Sequence, residues 1–125
     1  MSQIGFKDIK TLRGMFTASW HPILIALFLW ITVRYSKDKI IITSAFRKDD
    51  PGVHGQIPLR GFDLRSSVFT KPQEIADSIN QSWIYDLDRP EMKVALFHDI
   101  GQGEHLHFQV HPKTRFLGKL DVSNY

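Results

Sequence analysis

From Gly14 to Val33 the chain reads GMFTASWHPILIALFLWITV, twenty residues without a formal charge. No other stretch restricts the fold as strongly, because this much apolar surface must leave water, either in a bilayer or in a protein core. Lys7, Lys10 and Arg13 precede it, as they would a signal anchor. The strictly apolar part, however, is Ile23 to Val33 with one threonine, short of the roughly 20 residues a span needs. Ser19 or His21 is suited to a helix cap and Pro22 to the first turn. A buried helix from Pro22 to about Tyr35, ended by the polar SKDK, is therefore expected. Being apolar all round, it exceeds what one face of a small domain must bury, so self-association through residues 22–35 is also expected.

With 125 residues, the chain has the length of one domain. The division expected is a mixed leader over residues 1–21, with a short helix around Lys7–Met15, and a domain over 22–125. KIIIT (Lys39–Thr43) is a continuous β-branched run, the mark of a strand buried on both faces. RKDDPGVHGQIPL carries two prolines and two glycines and is read as an irregular loop. RGFDLR alternates, with Phe62 and Leu64 on one face and Gly61, Asp63 and Arg65 on the other. TKPQEIADSINQSW is the clearest helix: Thr70 caps, Gln73 completes a capping box, and Ile75, Ala76, Ile79 and Trp83 form a stripe. YDLDRPE is a turn, KVALF a buried strand and HDIGQGE a glycine loop, at whose start His98 and Asp99 are expected to serve the turn, with lining of the cleft as the alternative. In HLHFQV, Leu106, Phe108 and Val110 face the core while His105, His107 and Gln109 share the other face. His111 is the strand exit, and Phe116 and Leu117 cover the sheet edge. Trp20 and Trp30 are expected in the core or an interface. The class is α+β, a small antiparallel sheet with flanking helices.

The chain has no cysteine, which excludes disulfides, thiolate catalysis and cysteine-ligated zinc. Any metal must sit on His, Asp or Glu. His105 and His107 form a His-x-His pair on one side of a strand, about 7 Å apart at their Cα atoms. Asp63 lies on a non-core face of another strand, and His54 in the loop before it. Two imidazoles and a carboxylate, with water in the fourth position, are a common catalytic zinc set. Which of His105 and His107 touches the metal is open on these grounds. Glu104, at the bend into the last strand, is suited to act as general base. Arg47, at the end of KIIITSAFR, is suited to steady an oxyanion. The formal charge of +3 suits an anionic partner. No run of Lys and Arg with interleaved aromatics points to nucleic acid.

Together ITSAFR, GVHG, RGFDLR and GEHLHFQV resemble the zinc D-alanyl-D-alanine peptidases, the carboxypeptidases and endopeptidases of peptidoglycan, whose core is shared with lysostaphin-type enzymes and the hedgehog domain. The resemblance covers roughly residues 22–111. It implies that fold, Zn²⁺ held by His54, Asp63 and His107, and Glu104, Arg47 and His105 as catalytic residues. His105 would serve beside the metal or on the oxyanion side. The implied function is hydrolysis of peptidoglycan stem peptides or cross-links, in the setting of a phage lysis enzyme or a virion. The alternative is a non-catalytic virion or cell-wall-binding domain that keeps the fold. His54 and Asp63 are nine residues apart, two more than the family pattern, and Arg60, Gly61 and Phe62 replace its small residues before the aspartate.

Overall fold

A computed structural model of the chain describes residues 3–99 and 103–118, with only the backbone of Asp99. Strand β1 (Gln3–Phe6) leads into helix α1 (Ile9–Thr17) and helix α2 (Pro22–Arg34). Strands β2 (Lys39–Ser44) and β3 (Gly61–Arg65) follow, then helix α3 (Pro72–Ser82), the short β4 (Trp83–Ile84), β5 (Ala95–Asp99), β6 (Glu104–Gln109) and β7 (Arg115–Phe116). The five longer strands form one sheet in the order β1-β2-β3-β6-β5, and β4 pairs with β7 separately. The architecture is α+β, as expected, but the sheet is mixed. Strand β1 runs parallel to β2, pairing Gln3 with Lys39 through Phe6 with Ile42. Parallel neighbours need a long crossover, and α1 and α2 supply it. The expected leader thus contributes an edge strand and a helix. Its Asp8 caps α1 by accepting from the Thr11 amide at 2.8 Å.

Helix α2 begins as the sequence suggested. His21 Nδ1 accepts from the Ile23 amide, and Pro22 supplies a preset φ where no amide partner is required. Leu24, Leu27, Phe28 and Ile31 are buried against the sheet. Ile25, Leu29 and Val33, at successive four-residue intervals, keep 46, 46 and 40 % exposure, so the uniformly apolar helix buries one stripe and leaves another outside. Among the described residues no helix is long and apolar enough to cross a membrane.

The aromatic centre of the core is Phe62 on β3. It stacks on Trp20 and on Phe108 of β6, and meets Phe28 of α2 edge-on, with centroids 5.1–5.7 Å apart. Such pairs add roughly 0.5–1.5 kcal/mol each beyond area burial. Phe62, Leu64, Leu106, Phe108 and Val110 are all fully buried, so the alternation read from both strands is realised.

Three expectations are corrected. Helix α3 has Lys71, not Thr70, at its cap, without a side-chain cap bond. Pro72 fixes the first helical position, and Gln73 instead donates to Asp77 at 2.9 Å. His98 and Asp99 belong to β5 rather than to a glycine loop, because their backbones pair with His105 and Glu104 of β6. Phe116 does not cover the main sheet. It lies in β7 and packs on Trp30 and Trp83. Asn80 of α3 both donates to the Ala95 carbonyl and accepts from the Ala95 amide, at 2.8 and 2.9 Å, tying helix to edge strand.

Phe62→Ala should destabilise the chain by about 3–5 kcal/mol, because it empties the junction of four rings. Urea unfolding followed by fluorescence measures this, and a loss under about 1 kcal/mol would show that Phe62 is not central.

Candidate metal centre

Strands β3 and β6 pair antiparallel with Asp63 directly opposite His107. Directly opposed residues share a face with Cβ atoms about 4.5–5.5 Å apart, so the register alone joins the carboxylate to the imidazole. His107 Nδ1 lies 2.8 Å from Asp63 Oδ1.

His54 arrives from outside the sheet. It sits in a single 3₁₀ turn, Val53–Gly55, and is buried. Two glycines let this turn press inward. A Cβ on Gly55 would collide with the Asp50 backbone, and one on Gly61 with the Val53 side chain and the Phe108 carbonyl. This loop brings His54 back to Asp63 although the two stand nine residues apart in the chain. His54 Nε2 lies 3.3 Å from Asp63 Oδ1.

Strand β2 is irregular at the same point. Ile42 pairs with Leu64 but Ser44 with Asp63, so β2 carries one extra residue, a bulge. Bulges redirect the chain near functional sites, and Ala45 follows immediately. The Ala45 carbonyl accepts a hydrogen bond from His54 Nδ1 at 2.7 Å, and the Arg47 amide donates to the His54 carbonyl at 2.7 Å.

The proton positions follow from these partners. A carbonyl can only accept, so His54 Nδ1 carries the hydrogen and the neutral ring leaves Nε2 bare. Nε2 is buried and has no hydrogen-bond partner. Gln109 Nε2 donates to the Lys93 carbonyl at 2.9 Å, which fixes Gln109 Oε1 toward His107 Nε2 at 3.1 Å. His107 Nε2 therefore donates, and in the neutral ring its Nδ1 is the bare nitrogen, whereas a second proton there donates to Asp63 Oδ1. Two unshared nitrogen pairs thus converge on a carboxylate oxygen, an arrangement that repels itself unless a cation lies between. A proton relieves one contact, whereas a divalent metal relieves all three.

The three ligand atoms lie within 4.8 Å of one another. Tetrahedral zinc with bonds near 2.0–2.1 Å spaces its ligands about 3.3 Å apart, close to the separation of His54 from Asp63. The group therefore fits a metal ion. Burial raises the Asp63 pKa, but where a proton occupies His107 Nδ1 or His54 Nε2 the hydrogen bond and the charge it brings lower it further, so the carboxylate stays ionised well below its usual range.

The remaining sequence candidates surround this group. His105 is not one of the three converging ligands. Its Nδ1 donates to the Gly103 carbonyl at 3.3 Å, and its Nε2 lies 4.0 Å from Asp63 Oδ2. His98, read from the sequence as a turn residue, meets His105 Nε2 to Nε2 at 3.0 Å. Burial, then the neighbouring His105 and His107, lower the His98 pKa, which keeps that ring neutral at neutral pH. Arg47 is half exposed on the rim and pairs with Asp50 at 3.1 Å. Glu104 is exposed, and its backbone carbonyl accepts from Ser66 Oγ. Asp63, Glu104, His105 and Arg47 border one open cleft of about 540 Å³, which Lys7, Asp8 and Lys10 also line.

Gln109 and His98 are additions to the sequence candidates. Period two marks Gln109 as sharing the face of His107. Nothing in the sequence gives the register that sets His98 against His105. No protein-family model, curated protein or solved structure matches the chain.

The chain should bind about one zinc ion, measured by competition with a chromogenic chelator, and His54→Ala, Asp63→Ala or His107→Ala should abolish tight binding. Gln109→Ala should weaken it about 10–100-fold, because that amide holds the His107 tautomer. Unchanged affinity in Gln109→Ala would contradict the tautomer assignment.

Proposed function

We propose that the chain is a zinc-dependent peptidase acting on the stem peptides or cross-links of bacterial peptidoglycan. The observation that carries the metal centre is the meeting of ligand atoms of His54, Asp63 and His107 within 4.8 Å of one another, with His54 Nε2 buried and without a hydrogen-bond partner. The peptide substrate and the cell wall rest on the resemblance of SAFR, His54, Asp63 and EHLH to the D-alanyl-D-alanine peptidases. A phage lysis setting rests on the same resemblance.

His54, Asp63 and His107 would hold the ion, with Ala45 and Gln109 fixing the two rings. A zinc ion so held polarises a carbonyl and acidifies water near neutral pH. His105 is the group placed to move protons. Its Nε2 points to the open side of Asp63, and its Nδ1–H is held by Gly103. On taking a proton at Nε2 from the water that adds to the peptide carbonyl, it would give up its bond to His98, which stays neutral, and would then pass that proton to the amine as the C–N bond breaks. Glu104 stands at the mouth of the same cleft as a second proton carrier. The pleat of β6 puts it on the face of Leu106 rather than that of His105, which assigns it the lesser part. Arg47 on the rim balances charge that develops on the substrate oxygen.

Zinc-loaded protein should release peptides from purified peptidoglycan, detected by mass spectrometry. His105→Ala should slow release at least ~100-fold and Glu104→Gln less than ~10-fold, the range of general acid–base contributions, both with zinc stoichiometry near one. Were Glu104→Gln inert and His105→Ala active, the two roles would be exchanged. A parent protein that binds zinc and cleaves nothing would leave the binding-domain alternative.

A further inference from the structure

The cleft beside Asp63 is lined by Lys7 and Lys10 from the segment expected to be a leader, and by Arg65 from β3 itself. Lys7 follows β1 and is tied to β2 by its amide, which donates to the Ile42 carbonyl at 2.9 Å. Lys10 is the second residue of α1, and Arg65 ends β3. All three line the cleft with Asp63 and His105. Among the described residues none of the three has a carboxylate within ion-pair distance, whereas Arg47 is taken by Asp50. The nearby Asp8 is committed to capping α1, where its carboxylate accepts from both the amide and the hydroxyl of Thr11 at 2.8 Å. Three cations therefore line the cleft without a carboxylate in ion-pair contact, with Asp8, also in the lining, as the nearby counter-charge of Lys7 and Lys10.

We infer that Lys7, Lys10 and Arg65 form a subsite for a carboxylate of the peptide substrate, an inference that rests on the peptidase reading above. The sheet order places β1 two strands from β3, about 10 Å across the sheet. An extended peptide covers that distance in about three residues. The carboxylate recognised should then lie within about three residues of the amide that is cut. It can be a free chain terminus or an acidic side chain. Lysine ammonium groups suit this task, being mobile point charges that tolerate either geometry.

The test is an NMR titration of the full chain without added metal, at low salt. The probes are acetyl-tetraalanine as the free acid, the same peptide as its terminal amide, and a terminal amide carrying one internal Glu. The acid should shift the amide signals of Lys7, Lys10 and Arg65 and bind about tenfold tighter than the plain amide, the worth of two partly exposed ion pairs. The Glu peptide should recover that gain if the side chain is the natural source, and should bind like the plain amide if the terminus is. The double variant Lys7→Gln/Lys10→Gln should remove the preference, Lys10→Arg should retain it, and raised salt should erase it. Equal binding of all three peptides, or a preference that survives the double variant, would overturn the subsite. Discrimination by a protein that hydrolyses nothing when zinc-loaded would remove the peptidase and keep the subsite. Hydrolysis without discrimination would remove the subsite alone.

Discussion

Asp63 Oδ1 is approached by His54 Nε2 at 3.3 Å and by His107 Nδ1 at 2.8 Å, and in the neutral form each ring has its proton committed on the far side. A buried carboxylate surrounded this way is a site of strong local field, since burial removes the water that would screen it. A cation resolves the conflict. The outer partners matter as much as the ligands, because Ala45 and Gln109 decide which nitrogens are bare. Remove either and the rings can turn or change tautomer, and the convergence is lost.

The rest of the fold serves to hold that point. The β3–β6 ladder sets Asp63 against His107 through backbone pairing, with Phe62 and Phe108 anchoring the same two strands from the core side. The bulge in β2 turns the Ala45 carbonyl toward the site, and the tight approach at Gly55 and Gly61 lets a loop residue reach a buried position. Helix α2 seals the opposite face with Leu24, Leu27 and Ile31. The aromatic core and the polar centre are therefore the two faces of the same pair of strands.

Much of this was legible from local pattern. Alternation in RGFDLR and HLHFQV separated core from site, because period two is a property of each strand by itself. His54, Asp63 and one of the pair His105 and His107 could be proposed from residue type and order, and the choice of His107 rests on the resemblance to the peptidases. What pattern could not supply was pairing between strands. The parallel β1 was hidden because QIGF is too short and mixed to announce a strand, and its partner lies more than thirty residues away. His98 was assigned to a turn because the HDIGQGE glycines suggested an early strand end, while the ladder with β6 carries β5 through Asp99. The start of α3 was misplaced by one residue because Thr70 and Gln73 imitate a capping box that Pro72 overrides.

The most direct measurement is a crystal structure of the zinc-soaked chain with an anomalous difference map at the zinc edge. A single peak should lie about 2.0–2.2 Å from His54 Nε2, Asp63 Oδ1 and His107 Nδ1, with Ala45 and Gln109 still holding the outer nitrogens. A map without a peak there, or with zinc seated instead between His98 and His105, would contradict the account at its root.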